Sequence, residues 1–169
     1  MNAGSTLPPP HCFHVSAALG WLELGSPCEA RAELNSLPAS HHEHPDALEA
    51  WWKVFAEEDD WSSALACGEK LVALAPGRAS AWINLSFALH ELGRTREAFD
   101  RLQGAASQFP DDFIIPYNLA CYQCRLGDEA VAWTWLERAA QAADPRLIRS
   151  MALEDPDLAA LREKVLRLV

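Results

Sequence analysis

The chain has 169 residues, half of them apolar, and carries 24 acidic against 14 basic side chains, for a net charge of −10. This length suffices for one domain with a hydrophobic core or for a short array of repeats. The acidic balance argues against a nucleic-acid partner and against an anionic membrane surface, because both require clustered lysine and arginine.

The sequence also bears on membrane insertion, secretion and disulfide formation. The sequence contains no run of about 18 apolar residues that would predict a membrane span, and its first ten residues lack the charged and apolar regions of a secretory signal. The five cysteines are an odd number in a long chain, which argues against a disulfide framework. We therefore expect a reducing, cytoplasmic compartment.

The first quarter of the chain is irregular. Residues 1–14 are polar and include three consecutive prolines, a composition that predicts a disordered tail. Residues 15–44 are interpreted as a degenerate helical hairpin and a loop, in which Gly25 ends one helix and Pro27 suits the first turn of the next. The loop holds a histidine cluster, His41, His42 and His44. Nothing fixes the geometry of these rings, so we interpret the loop as a polar connection.

Two stripes of apolar residues follow one another between residues 79 and 112. The first places Trp82, Leu85 and Leu89 at helical spacing, and the second stripe begins at Ala98. Gly93 lies between them, where the chain must reverse and a positive φ is needed. The apolar, small and proline positions follow a fixed order: Trp82, Leu85, Ser86, Leu89, Ala98, Leu102, Ala105 and Pro110.

This order resembles the tetratricopeptide repeat (TPR), a helical hairpin of 34 residues. Shifting by 34 residues aligns Ala64 with Ala98 and Pro76 with Pro110. The chain thus resembles short bacterial TPR proteins. The resemblance implies an all-α fold, a right-handed TPR-like solenoid of antiparallel helix pairs. We predict three tandem repeats over 45–143 (45–78, 79–112 and 113–143) and C-terminal capping helices over 144–169, the last of them opened by Asp155 as N-cap and Pro156 in its first turn.

The second predicted repeat departs from the TPR pattern at two positions. Trp52 stands where the family has a small residue, and Gly68 stands where it has a large one. We hypothesise that the Trp52 ring fills the space that Gly68 leaves. The acidic run at 57–60 is interpreted as a cap for the helix that follows it.

The resemblance also implies a function. TPR stacks bind peptides or extended protein segments in a concave groove lined by the first helix of each repeat. Asn84 and Asn118 stand at the same groove position in successive repeats, and their amides could pair with a peptide backbone. The full set of predicted groove residues is Lys53, Ile83, Asn84, Phe87, His90, Ile114, Tyr117, Asn118, Cys121 and Arg125.

No enzymatic motif is present in the sequence: there is no glycine-rich phosphate loop, no metalloprotease helix and no nucleophile elbow. We predict a non-catalytic interaction scaffold for a protein or peptide segment, with no cofactor and no metal. A dedicated chaperone for a secreted or assembling protein is the first alternative. The second is a metal or redox protein that uses Cys121, Cys124 and the histidines. The sequence leaves the oligomeric state open.

Overall fold

A computed structural model describes residues 6–168 of the chain. All regular structure within this range is helical. The α-helices are α1 (His11–Glu23), α2 (Pro27–Asn35), α3 (Pro45–Glu57), α4 (Trp61–Leu74), α5 (Ala79–Glu91), α6 (Thr95–Ala105), α7 (Ile114–Arg125), α8 (Glu129–Ala142), α9 (Pro145–Glu154) and α10 (Arg162–Val165). Short 3₁₀ turns span Ala39–His41, Ala106–Gln108 and Pro156–Leu161.

The chain divides into two compact units, Met1–Ala88 and Leu89–Val169, and the boundary between them lies inside α5. In the first unit, α1 packs on α2, α3 packs on α4, and α1 also contacts α3. In the second unit, α7 packs on α8 and α6, and the 3₁₀ turn Pro156–Leu161 lies against α7. The repeat boundaries given above remain a prediction, because this division does not follow them.

The helix ends recur at a fixed interval. Gly25, Gly93 and Gly127 have positive φ values, and so does Asp59. These four positions are 34 residues apart or a multiple of that. A left-handed residue at each of them lets the chain reverse between the two helices of a pair, and glycine adopts that conformation at the lowest cost.

The N-terminal segment differs from its prediction. Leu7 is only 2% exposed and belongs to the core cluster of the first unit. Its backbone N–H donates to Asp46 Oδ2 at 3.0 Å, and α1 begins at His11. The prediction of a disordered tail over 1–14 is therefore wrong from Leu7 onward, because one buried leucine and one backbone hydrogen bond anchor a segment whose average composition is polar. Residues 1–5 lie outside the described range.

The histidine loop is ordered by local contacts. His42 Nε2 lies 2.7 Å from the carbonyl oxygen of Leu37. His44 caps α3, where its Nδ1 accepts from the N–H of Asp46. These contacts agree with the interpretation of the loop as a polar connection.

Gly68 has a different role from the one hypothesised. A Cβ atom added at Gly68 would lie 2.9 Å from Cα and 3.1 Å from N of Leu85, so the backbone of α5 occupies the space beside this glycine. The Trp52 ring instead meets the ring of Phe87 edge to face, with 6.1 Å between centroids. The hypothesis that Trp52 compensates for Gly68 is wrong: glycine is needed here for the close approach of two helices.

The predicted caps are present. The side chain of Asp60 accepts from the N–H of Ser63 at the start of α4. The side chain of Asp155 accepts from the N–H of Asp157, although the element that it opens is a 3₁₀ turn followed by the short α10.

Along residues 6–168, none of the helices combines the length and the apolar content that a membrane crossing requires.

Candidate functional site

The first unit has an open surface between α1 and α3, which we call the α1–α3 face. It contains one cleft of about 310 Å³ and a second of about 450 Å³. Leu19 of α1 and Lys53 of α3 line both clefts, so the two clefts adjoin each other along the face. The lining also includes Leu22, Glu23, Asp46, Glu49, Ala50, Trp52, Ala56 and Glu57.

The two ends of this face differ in their charged side chains. At one end, Arg78 Nη1 lies 2.8 Å from Asp46 Oδ1 and 3.4 Å from Glu49 Oε1, so these carboxylates are paired. At the other end, Glu23 and Glu57 are the last residues of α1 and α3, and neither helix has a basic residue in its last turn. Because helix C-termini already carry partial negative charge, this end of the face is acidic.

The predicted groove residues on α5 that belong to the first unit are only partly buried. They are Ile83, Asn84 and Phe87. Phe87 is packed against two indoles, since its ring centroid lies 5.7 Å from that of Trp61 in addition to its contact with Trp52.

Two of the predicted groove residues on α7 are covered by the chain itself. Tyr117 and Cys121 are each 5% exposed. The Tyr117 hydroxyl donates to Asp155 Oδ2 at 3.0 Å, and the Cys121 thiol donates to the same oxygen at 3.4 Å. The segment that follows α9 thus lies on the face of α7 where the sequence predicts a ligand.

His90 and Arg125 are held by the same segment. His90 Nε2 lies 2.8 Å from Asp157 Oδ2, and Arg125 Nε lies 3.4 Å from Asp157 Oδ1. His90 Nδ1 lies 3.0 Å from Thr95 Oγ1. A Thr–His–Asp chain of this kind has the order of a catalytic relay. Only 11% of the His90 side chain is exposed, and its ring also packs on Tyr122, so we assign this chain a structural role.

The remaining predicted residues of α7 are Ile114 and Asn118, and both are half-buried. Within the described range, the amides of Asn84 and Asn118 have no protein partner. An amide without a partner in its own chain can bind a peptide backbone, so the groove role of both asparagines stays a prediction.

The chemistry of the Cys-x-x-Cys motif follows from its location on α7. Burial and the nearby Asp155 carboxylate raise the pKa of the Cys121 thiol well above its usual value. Burial also raises the pKa of the Cys124 thiol. Both thiols therefore stay protonated near neutral pH, and a protonated thiol is a poor nucleophile and a poor metal ligand.

This thiol chemistry gives a testable expectation for alkylation. In the native protein at pH 8, iodoacetamide should modify the exposed Cys28 first, because Cys121 and Cys67 are buried and burial raises the pKa of Cys67 to about 11. Mass spectrometry of peptides from timed samples would measure the rates. Alkylation of Cys121 as fast as that of Cys28 would contradict the buried location of Cys121, whereas in urea all five cysteines should react alike.

Candidate metal ligands are dispersed. Within residues 6–168, no group of three or more histidine, cysteine, aspartate or glutamate side chains is placed to hold a metal ion. The His11 and His41 rings do meet, with 4.3 Å between centroids.

Comparisons with known proteins identify the fold. No protein-family model matches the sequence, and no curated protein matches it. Among solved structures, the chain is similar to TTC0263, a thermophilic TPR protein of Thermus thermophilus, with 19% identity and a TM-score of 0.75 over 94% of this chain and 91% of that one.

Two further structures have the same fold. PilF of Pseudomonas aeruginosa is 23% identical, with a TM-score of 0.76 over 93% of this chain and 69% of that one. MamA (residue 41 to the end) of Desulfovibrio magneticus RS-1 is 19% identical, with a TM-score of 0.70 over 96% of this chain and 97% of that one. The chain therefore has the tetratricopeptide-repeat fold, and the predicted all-α, TPR-like fold class is confirmed.

Sequence reasoning missed one feature in each unit. It treated Tyr117 and Cys121 as accessible, although Asp155 covers both. It also missed the clefts along α1, whose lining residues Leu19 and Leu22 are ordinary apolar residues of a degenerate repeat. The Asp155-Pro156-Asp157 sequence was a usable signal, because it places two carboxylates beside a turn.

Proposed function

We propose that this protein is a non-catalytic interaction scaffold that binds a segment of another protein on the α1–α3 face. The observation that carries the proposal is the pair of adjoining clefts whose lining includes the exposed Lys53. The TPR fold shared with TTC0263, PilF and MamA supports an interaction role. Protein-binding sites of helical repeats are extended surfaces of this kind.

The side chains of the face indicate which kind of protein segment it can bind. Its apolar floor, which includes Leu19, Leu22 and Ala56, suits apolar side chains spaced along a helix or an extended chain. Glu23 and Glu57 then favour a basic side chain at one end. Lys53, between them and the paired acids, suits a backbone carbonyl or a carboxylate of the segment. The Asn84 amide on α5 is a further backbone-binding group.

In the second unit, we assign Tyr117, Cys121, His90 and Arg125 to hold the Asp155–Asp157 segment. Ile114 and Asn118 remain proposed contacts for a protein segment, because both are half-buried and neither contacts that segment in the interactions described above. We expect a protein segment on the α1–α3 face to bury less than the roughly 1,600 Å² of a standard interface. Its affinity should therefore be near micromolar, which corresponds to a binding free energy of about −8 kcal/mol.

Charge reversal on the face tests this function. The Glu23→Lys/Glu57→Lys variant should lose at least about tenfold in affinity for its partner, identified by retention from a lysate of the native cell and then titrated as a purified protein. The matched control is Glu29→Lys/Glu69→Lys, which makes the same charge change at exposed positions of α2 and α4. Equal retention by both variants would contradict the α1–α3 face as the site.

A further inference from the structure

The second unit has a cleft of its own, which we call the α6–α8 cleft. Its volume is about 620 Å³, within the range of cavities that bind ligands. The lining comes from the end of α6, the connection to α7, the first turn of α7 and the C-terminal half of α8. The cleft shares no residue with the α1–α3 face or with the predicted groove, so it would be a separate site.

The apolar part of the α6–α8 cleft is preformed. Its apolar side chains include Phe109, Pro110, Ile115, Pro116 and Trp135. The N–H of Asp112 donates to the carbonyl oxygen of Phe109 at 3.2 Å, which closes the connection between α6 and α7 into a turn. The Asp112 carboxylate in turn accepts from the N–H of Ile114 at 3.0 Å. A cleft that is already ordered loses little conformational entropy when it binds a ligand.

Arg138 is the one cation among the described residues that line the α6–α8 cleft. Its guanidinium carbon lies 4.5 Å from the centroid of the Trp135 ring. This contact restrains the guanidinium and leaves its N–H groups able to donate hydrogen bonds. Along residues 6–168, Arg138 forms no ion pair with a carboxylate. A restrained and unpaired guanidinium is suited to bind a carboxylate through two hydrogen bonds.

The connection between α6 and α7 contributes negative charge to the same cleft. Asp111 is exposed, and within the described residues its carboxylate has no partner. Because no ion pair joins Asp111 to Arg138, each can bind a group of opposite charge. Gln103 of α6 and Gln141 of α8 are also exposed and lack a protein partner in this range. Their amides both donate and accept, as binding to a peptide backbone requires.

We propose that the α6–α8 cleft binds an extended segment of a partner protein in which an acidic and a basic residue flank an apolar one. The acidic side chain pairs with Arg138, the basic side chain pairs with Asp111, and the apolar side chain packs on Phe109. Charge complementarity selects this segment. Asp111 and Asp112 would repel a purely acidic segment or a phosphate ion, and Arg138 would repel a purely basic segment.

Selection from a phage-displayed library of random peptides tests this charge preference on the full chain. Peptides that bind the wild type but not Arg138→Glu should carry an acidic and a basic residue around an apolar one. The matched control, Arg96→Glu, makes the same charge change at an exposed position of α6 outside the cleft and should retain these peptides. Both variants should keep the wild-type circular-dichroism spectrum. The proposal is overturned if no peptide distinguishes the two variants, or if those that do lack this pair of charges.

Fluorescence anisotropy of one selected, labelled peptide tests the role of each charge. Arg138→Glu should raise its Kd at least about tenfold. Arg138→Lys should raise the Kd by less, because lysine keeps the charge but loses the planar fork. Asp111→Lys should also weaken binding, and a peptide whose basic residue is replaced by glutamate should regain affinity for that variant. An unchanged Kd for Asp111→Lys, or no recovery by the altered peptide, would overturn the pairing with Asp111.

The α6–α8 cleft and the α1–α3 face can be tested independently. Glu23→Lys/Glu57→Lys changes the α1–α3 face and should leave the Kd of the selected peptide unchanged. If that variant weakens the peptide as much as Arg138→Glu does, the assignment of the peptide to the α6–α8 cleft is wrong. Loss of the peptide from Arg138→Glu alone supports this cleft, whatever the outcome for the α1–α3 face.

Discussion

Gly68→Ala should destabilise the protein by about 3 kcal/mol, although alanine favours helices over glycine by about 1 kcal/mol. The added Cβ would lie 2.9 Å from Cα of Leu85, and a backbone atom cannot move aside as a flexible side chain can. Helices α4 and α5 must therefore separate, which costs contacts along their whole crossing. For a chain of this length, the melting temperature should fall by about 6–12 °C.

A second glycine provides the control for this prediction. Gly104 lies inside α6, and a Cβ atom added there would meet nothing within 4 Å. Gly104→Ala should therefore stabilise the protein by about 0.5–1 kcal/mol through helix propensity alone. Urea unfolding followed by circular dichroism measures both variants. If Gly68→Ala were as stable as Gly104→Ala, the close approach of α4 and α5 would be disproved.

Asp155→Ala should cost about 2–4 kcal/mol, more than the loss of a helix cap. One Asp155 oxygen accepts from Tyr117 and Cys121, and the other accepts from the N–H of Asp157. Removing the carboxylate leaves the buried Tyr117 hydroxyl without its acceptor, and an unsatisfied buried donor costs about 1–3 kcal/mol. The lost cap adds about 1 kcal/mol.

Asp144→Ala is the matched control, because Asp144 caps α9 through the N–H of Arg146. It should cost only about 1 kcal/mol. In the Asp155→Ala background, Tyr117→Phe should recover part of the loss, since it removes the orphaned hydroxyl. Equal costs for Asp155→Ala and Asp144→Ala would show that the Tyr117 hydrogen bond contributes nothing to holding the C-terminal segment on α7.

The sequence predicts the local architecture well, because its signals are periodic. Three of the positions with positive φ are glycines in the sequence, Gly25, Gly93 and Gly127, and the apolar spacing around Trp82 is typical of a helix. The fourth position with positive φ could not be predicted in this way, because it is occupied by Asp59 and not by a glycine. Caps such as Asp60 are likewise readable, because a cap depends on residues within one turn.

The candidate site is less predictable, because it depends on contacts between distant segments. No residue near Tyr117 in the sequence indicates that Asp155 accepts a hydrogen bond from it. The repeat pattern predicts instead that this side of α7 is open to a ligand. Gly68 was misinterpreted for a related reason: the atoms that exclude a side chain there are the backbone of Leu85, which no residue type reveals. Leu7 is buried in a segment whose average composition is polar, so composition alone does not predict that this residue anchors the segment.

The most direct test of the central claim is photo-cross-linking in the native cell. A photoreactive amino acid in place of Lys53, which lines both clefts of the α1–α3 face, should capture a discrete protein partner. The same amino acid in place of the exposed Glu69 on α4 should not capture that partner, and Glu23→Lys/Glu57→Lys should suppress its capture at position 53. Capture of one partner from positions 53 and 69 alike, or capture at position 53 that survives the charge reversal, would contradict binding on the α1–α3 face.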